Sequence, residues 1–182
     1  KSIFITCAKR TAITNFGGSF SSLSPGDLGA KCLQQILNKY SFLKDETDFF
    51  ISGNVLSAGH GQNIARQVAI NGGLNQNIPA FAINQVCGSG MQAIILGLNY
   101  ISSGNADIVI AGGVESMSNA SHCVKNYRWG TKMGHSTFVD TMIADGLWDV
   151  FNDIHMGTTA ENVAKKYNIS REDQDLFAFN SH

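Results

Sequence analysis

The alternation of short apolar runs with helical segments between residues 49 and 111 constrains the fold more than any other feature. Apolar runs at Phe49–Leu56, Pro79–Val86 and Ala106–Ala111 predict strands, and Ile64–Ile70 and Gly88–Ser103 predict helices between them. Strands joined through helices form βαβ units, in which the strands lie parallel. The last apolar run predicts a strand that is buried on both faces of the sheet. The sequence therefore predicts an α/β fold, with a mostly parallel sheet and helices on both faces.

Two further elements precede this stretch. The apolar run Ile3–Ala8 predicts an N-terminal strand, and Pro25 with Asp27 predicts the start of a helix that ends at Lys39. The helix at 88–103 carries apolar residues at helical spacing, which predicts its buried face: Met91, Ile94, Ile95, Leu98 and Ile101.

The pattern changes after Val114. Residues 115–154 are polar, with aromatic residues and glycines but no long periodic run, and we interpret them as a loop region inserted on the α/β body. A short helix is predicted near Val139–Asp145. We therefore predict an N-terminal α/β domain at 1–114 and a loop-domain region with its following helices at 115–182.

Two capping patterns lie near the end of the chain. Thr158–Glu161 predicts a helix that ends at Tyr167, and Ser170–Asp173 predicts a second helix. No glycine or proline stops this last helix before His182, which favours a chain that continues beyond the given sequence.

Composition excludes several functional classes. Of 182 residues, 43% are hydrophobic and only 15% are charged, so the chain can form a core and is not disordered. The net charge of −1 and the lack of a basic run argue against a nucleic-acid or membrane-surface partner. No apolar run approaches the roughly 20 residues of a membrane span. The first residue is Lys1, which leaves an earlier targeting segment open.

Four cysteines are present, and none forms a Cys-x-x-Cys pair or stands at zinc-ligand spacing from a histidine. We therefore predict no metal site and a reducing compartment. Three of the four are expected to be small buried hydrophobic residues: Cys7, Cys32 and Cys123.

Cys87 differs from the other three because it lies where a predicted strand meets a predicted helix. Gly88 and Gly90 follow it, and they permit a sharp turn and a close approach of another backbone. A helix N-terminus offers N–H groups and partial positive charge, which favour a thiolate and can stabilise an oxyanion. These features predict a nucleophilic cysteine. From the spacing alone, a buried structural cysteine beside a tight turn remains an equal alternative.

Two other interpretations of this turn are weaker. Residues 88–93 fit the Gly-x-Gly-x-x-Ala pattern of dinucleotide-binding folds, with Asp107 near the expected distance. However, Asp107 begins its predicted strand, whereas the ribose-binding acid follows one. The Gly-x-Ser-x-Gly pattern of serine hydrolases fails, because Cys87 takes the place of the first glycine.

Several segments together resemble the thiolase family. Residues 84–93, Asn-Gln-Val-Cys-Gly-Ser-Gly-Met-Gln-Ala, are similar to its nucleophile motif. Other matching segments follow in order along the chain and cover essentially all of it: 53–56 with 59–63, 111–118, 140–147 and 155–162. The segment His-Met-Gly-Thr-Thr-Ala-Glu-Asn at 155–162 most resembles the biosynthetic acetyl-CoA acetyltransferase branch. The resemblance implies a thiolase-like fold.

It also implies an acyltransferase that works in two steps. Cys87 would take an acetyl group from acetyl-CoA, and the enolate of a second acetyl-CoA would attack this acetyl-enzyme to give acetoacetyl-CoA. The reverse reaction is thiolysis. A cysteine suits both directions, because its thioester stays about as reactive as that of CoA.

By the same resemblance, the N–H group of Cys87 contributes to an oxyanion hole. Leu147, His155 and Met156 would line the route of the CoA pantetheine. Without the resemblance, His155 would be read as a hydrogen-bonded histidine that precedes a helix cap.

The resemblance also sets the expected partners. Acetyl-CoA and CoA would bind as substrates, without any cofactor or metal. The enzyme would be a homotetramer built as a dimer of dimers, with Lys132–Gly134 in the tetramerisation region. We expect a cytoplasmic location and leave a mitochondrial one open.

The chain departs from the family pattern at two scaffold positions, where Ala12 and Ile64 replace proline. It also lacks the second half of family chains, with its Gly-His-Pro histidine, its Asn-Glu-Ala-Phe segment and its acid/base cysteine. We therefore expect the first thiolase domain with part of the loop domain, and no C-terminal thiolase domain. The alternative is a stand-alone, non-catalytic half that binds CoA or a partner chain.

Overall fold

In the computed structural model, which describes residues 2–181, the chain divides into two compact units on either side of the Met142–Ile143 bond. The centre of the first unit is a parallel sheet with the strand order β2-β1-β3. Its strands are β1 (Phe49–Gly53), β2 (Ala80–Ile83) and β3 (Val109–Gly113). The domain boundary at Val114 stays a prediction.

Helices cover both faces of this sheet, as predicted. The helices of the first unit are α1 (Pro25–Lys39), α2 (Leu43–Glu46), α3 (Ile64–Gly72) and α4 (Ser89–Ser102). Phe50 of β1 packs with Leu37 of α1 and Val68 of α3 in the main hydrophobic core. Side chains alternate between the faces of a strand, and Phe49 accordingly stacks on Tyr100 of α4, with ring centroids 4.5 Å apart.

The buried face of α4 differs from the predicted one. Small residues face the sheet, namely Ser89, Ala93 and Gly97, while the predicted face is largely exposed and Met91 has 71% of its surface in solvent. The cause is the close approach of helix and sheet. A Cβ at Gly53 of β1 would lie 2.6 Å from the Ser89 carbonyl carbon. Larger side chains therefore cannot occupy this interface.

The strands also differ from the predicted bounds. β3 begins three residues later than predicted, because the Asp48 carboxylate accepts the N–H groups of Asp107 and Ile108 at 2.7 and 3.0 Å. Its residues are mainly half-buried rather than buried on both faces, because it lies at an edge of this three-stranded sheet. The predicted strand at Ile3–Ala8 is wrong. Within residues 2–181 this segment pairs with no strand, and Ile5 is 81% exposed.

The remainder of the first unit is irregular, as expected for a loop region. It contains an antiparallel pair, β4 (His122–Val124) with β5 (Phe138–Asp140), and two short 3₁₀ turns. The predicted short helix at Val139–Asp145 is replaced by β5 and by a π-helical segment, Met142–Leu147.

The second unit begins within this π-helical segment, continues with a small hairpin and ends with two helices. The hairpin pairs β6 (Trp148–Asp149) with β7 (Ile154–His155), and α5 (Met156–Tyr167) and α6 (Arg171–Ser181) follow. The capping box at Ser170 is confirmed, because the Asp173 N–H group donates to the Ser170 hydroxyl at 3.0 Å and that hydroxyl donates to the Asp173 carboxylate at 2.7 Å.

The capping box predicted at Thr158 is wrong, because α5 begins earlier, with His155 as its N-cap. The predicted continuation of the last helix at His182 lies outside the described residues. No helix in the described part of the chain is long and apolar enough to cross a membrane.

All four cysteines are free. The prediction that three of them are buried is wrong, because Cys7, Cys32 and Cys123 are only half-buried. Cys7 lies within the unpaired N-terminal segment, and Cys123 lies in a two-stranded antiparallel pair. For Cys32, partial burial and the neighbouring Cys7 raise the pKa of the thiol.

Candidate active site

Cys87 occupies the turn between β2 and α4, as the sequence predicts, and it is exposed. The alternative of a buried structural cysteine is therefore not supported. The α4 N-terminus follows directly, with Gly88 as N-cap, and no side chain caps it. A helix start of this kind attracts negative charge. The turn thus exposes the Cys87 thiol beside groups that favour an anion.

The backbone of this turn is strained at one residue. Val86 has a φ of +50°, in the left-handed region that β-branched residues rarely adopt. Hydrogen bonds hold it from both sides. The Val86 N–H group donates to Asn84 Oδ1 at 2.8 Å, and the Val86 carbonyl accepts the N–H group of Ser89 at 3.1 Å and its hydroxyl at 2.6 Å. Unusual backbone of this type concentrates at functional sites.

Glu115 was not among the site residues predicted from the sequence. Its side chain holds the loop after β1, at the edge of the sheet where β2 leads into the turn with Cys87. Glu115 follows β3, and its carboxylate accepts three hydrogen bonds of 2.8 to 3.0 Å from Asn54 Nδ2 and from the N–H groups of Val55 and Leu56. Parallel strands end at one edge of a sheet, where ligands bind in open α/β folds. The position of Glu115 directly after a predicted strand was the available signal.

A cavity of about 300 Å³ opens between this loop and the end of β2. The cavity is lined by residues 54, 57, 60, 61, 63, 64 and 82–84, and Cys87 is not among them. Asn54 Oδ1 and His60 Nε2 are buried without a hydrogen-bond partner. Asn84 is one of the lining residues, and its side chain accepts the N–H group of the strained Val86. The cavity therefore adjoins the turn that carries Cys87.

The second unit contains the three residues assigned to substrate binding, within ten positions of one another. Leu147 ends the π-helical segment and is half-buried, His155 ends β7, and Met156 begins α5 with 37% of its surface exposed. The structure therefore brings these three to one hairpin region. Cys87 belongs to the first unit.

The His155 side chain caps α5 by accepting a hydrogen bond. The Gly157 N–H group donates to His155 Nδ1 at 3.0 Å, so this nitrogen carries no proton, and the neutral ring keeps its proton on Nε2. His155 is thus hydrogen-bonded at the start of a helix, as the residues alone, without the family resemblance, predict.

Trp148 and a closed turn help to hold the His155 ring. The Trp148 ring meets it edge-on, with centroids 6.5 Å apart, and Trp148 Nε1 donates to Asp153 across the hairpin at 3.0 Å. The Asp149 carboxylate closes the turn by accepting from the Asn152 side chain and from two backbone N–H groups, and these hydrogen bonds lower its pKa.

No group of three histidine, cysteine, aspartate or glutamate residues in the described ranges has an arrangement that would hold a metal ion.

Comparison with known proteins gives the family. Residues 3–182 match the thiolase N-terminal domain family. A Staphylococcus aureus (strain COL) protein named "Probable acetyl-CoA acyltransferase" is 50% identical over 179 residues, which are 98% of this chain and 46% of that protein. An Allochromatium vinosum protein named "Acetyl-CoA acetyltransferase" is 51% identical over 178 residues, which are 98% of this chain and 45% of that protein.

The chain thus spans about half the length of the curated relatives that it matches. Within that span, the family match covers Cys87, the sheet that presents it and the hairpin with His155. The match over residues 3–182, together with these relatives and the parallel α/β sheet, shows that the chain belongs to the thiolase family.

Proposed function

We propose that this protein catalyses the Claisen condensation of two acetyl-CoA molecules to acetoacetyl-CoA and CoA, and the reverse thiolysis. The observation that carries the proposal is the exposed Cys87 on a strained turn at the start of α4, in a chain of the thiolase family. A relative named "Acetyl-CoA acetyltransferase" supports the choice of acetyl groups. The Staphylococcus aureus relative carries the broader name of acyltransferase.

In the first step, the Cys87 thiolate attacks the carbonyl carbon of acetyl-CoA. A new carbon–sulfur bond forms, the bond to CoA breaks, and CoA leaves as a thiolate that takes up a proton. N–H groups at the start of α4, including that of Cys87, would stabilise the oxyanion formed on the way. The product is an acetyl thioester on Cys87.

In the second step, a base removes a proton from the methyl group of a second acetyl-CoA. The resulting enolate attacks the acetyl-enzyme carbonyl, a carbon–carbon bond forms, and Cys87 leaves as the thiolate. We assign no residue of this chain to that base.

Leu147, His155 and Met156 are proposed to bind the CoA thioester. His155 Nε2–H would donate to a substrate oxygen, while Leu147 and Met156 would supply apolar contact to the pantetheine and the acyl group. Their common position at one hairpin supports a shared role.

We further propose that the protein needs no cofactor, that it is a cytoplasmic enzyme and that it forms a homotetramer. The relatives named above are bacterial proteins, which favours the cytoplasm and gives no support to a mitochondrial location. Met133, within the proposed tetramerisation segment Lys132–Gly134, is 94% exposed and is therefore accessible to another subunit. Sedimentation of the protein at its natural length, with Met133→Asp as the variant, measures this state.

The activity is tested with the protein at its natural length, by following acetoacetyl-CoA formation from acetyl-CoA and its cleavage by CoA. We expect both reactions, and we expect Cys87→Ala to abolish both. Cys123→Ala is the control and should keep them. Binding of CoA without turnover in either direction would contradict the proposal and would favour a non-catalytic thiolase-like protein.

A further inference from the structure

The Ser89 hydroxyl forms both of its hydrogen bonds with the backbone of the turn that carries Cys87. It accepts the N–H group of Gln85 at 2.8 Å and donates to the Val86 carbonyl at 2.6 Å. Ser89 is 4% exposed, so this hydroxyl is closed off from solvent and from substrate. Any effect of Ser89 on the chemistry must therefore pass through the backbone that it holds.

That backbone is in a conformation that valine disfavours. A φ of +50° at Val86 places a β-branched residue in the left-handed region, which such residues rarely adopt because it is strained. Such a residue persists only when the surrounding structure holds it. Ser89 supplies hydrogen bonds on both sides of Val86, and Asn84 Oδ1 supplies another at 2.8 Å.

Val86 immediately precedes Cys87, so its conformation sets the direction in which the thiol leaves the turn. The Val86 side chain is half exposed and contributes little packing. The hydrogen bonds from Ser89 and Asn84 are therefore needed to hold the backbone angle of Val86, because burial of the Val86 side chain does not hold it.

We propose that Ser89 is a positioning residue for Cys87, which holds the strained Val86 backbone through both of its hydrogen bonds. The proposal rests on the proposed function, in which Cys87 accepts the acyl group. If so, Ser89 is needed to position Cys87 only because residue 86 is a valine. When residue 86 is one that tolerates a positive φ, Ser89 should no longer be needed.

The test is a double-mutant cycle on the protein at its natural length, in which Ser89→Ala is combined with Val86→Gly. Glycine adopts a φ of +50° without steric cost. The readout is the second-order rate constant of Cys87 with iodoacetamide, in which the thiolate displaces iodide to form a thioether. The rate is followed on the Cys87 peptide by mass spectrometry, at a temperature at which all variants are folded.

We expect Ser89→Ala to slow Cys87 labelling about tenfold, because the turn loses both hydrogen bonds of the Ser89 hydroxyl. In the Val86→Gly background, the same change should slow labelling less than threefold. Asn84→Ala, at an exposed position that tolerates the change, should show a smaller loss with the same rescue. The control is Ser116→Ala. Ser116 is comparably buried, but its hydroxyl donates to the Leu23 carbonyl and has no hydrogen bond to the turn that carries Cys87.

An equal loss in both backgrounds would overturn the proposal, and so would a Ser89→Ala variant that labels normally but is destabilised like Ser116→Ala. If Ser89→Ala does not fold, the Asn84→Ala cycle decides by the same criterion. Failure of the wild-type protein to form an acetyl-enzyme would contradict the proposed function alone, because the labelling cycle reports on the turn independently of acyl transfer.

Discussion

At the scale of single residues, exposure distinguishes Cys87 from the other three cysteines. Cys87 is exposed, whereas Cys7, Cys32 and Cys123 are half-buried, and partial burial raises the pKa of the Cys32 thiol. Thiols react as thiolates. Cys32 should therefore be alkylated slowly, because its thiol has a raised pKa and is only partly accessible.

We predict that iodoacetamide labels Cys87 before the other cysteines in the folded protein at its natural length, and that acetyl-CoA protects it. Peptide mass spectrometry over a time course measures both effects. The other three cysteines serve as internal controls. Equal labelling of all four, without protection, would refute the assignment of the nucleophile.

Sequence reasoning located this residue well, because a cysteine between an apolar run and two glycines is a local pattern. It did not reveal how the turn is held. Ser89 helps to hold the left-handed angle at Val86, and its burial depends on the close approach of Gly53 of β1. A single sequence does not display such contacts.

At the scale of elements, the contact between α4 and the sheet positions the turn that carries Cys87. A Cβ at Gly53 would lie 2.6 Å from the Ser89 backbone, whereas Gly112 of the adjacent β3 has nothing within 4 Å of an added Cβ. The two glycines therefore form a matched pair for substitution.

We predict that Gly53→Ala destabilises the protein by about 1–3 kcal/mol through overpacking and slows Cys87 labelling, because it displaces the start of α4. Gly112→Ala should change the free energy of unfolding by no more than about 1 kcal/mol and leave labelling intact. Urea denaturation of both variants measures the difference. A harmless Gly53→Ala would contradict the close packing described for α4.

Two elements with a strong local signal were predicted correctly, although the local signals at Ile3–Ala8 and Thr158 were misleading. The capping box at Ser170 and the start of α1 at Pro25 lie within a few residues of their signals, and both are observed. The buried face of α4 is the opposite case. Its apolar residues indicated one face, but close packing against Gly53 selects the face with small residues.

The hairpin of β6 and β7 gives a second prediction at this scale. If His155 Nε2–H donates to the substrate, His155→Ala should lower kcat/KM by about 10- to 100-fold, which corresponds to the loss of one such hydrogen bond. Met156→Ala should also relax the preference for acetyl over longer acyl groups, by about tenfold per methylene.

The measurement is the steady-state kinetics of thiolysis with 3-ketoacyl-CoA substrates of increasing length. Met117→Ala is the control for Met156→Ala, because its side chain is similarly exposed, at 41% against 37%. Unchanged kinetics and chain-length preference in both hairpin variants would restrict His155 to its role as the cap of α5.

At the scale of the whole molecule, residues 1–182 leave much apolar surface uncovered. The outer face of α4 exposes Met91, Ile94 and Leu98, and α6 exposes Phe177 and Phe179. Neither α5 nor α6 contains a buried residue among those described. Uncovered patches of this kind promote association.

We predict that residues 1–182 expressed alone self-associate and form no acetoacetyl-CoA. Size-exclusion chromatography with light scattering and the condensation assay measure the two properties. A monomeric 182-residue product with thiolase turnover would show that this chain contains all the catalytic groups, which contradicts our assignment.

The central claim is that Cys87 carries the acyl group between the two steps. The most direct measurement incubates the protein at its natural length with radiolabelled acetyl-CoA, quenches with acid and maps the label by peptide mass spectrometry. We predict one acetyl group per chain, on the Cys87 peptide, which free CoA removes and which Cys87→Ala abolishes. Label on another residue, or a Cys87→Ala protein that still becomes acetylated, would contradict the account.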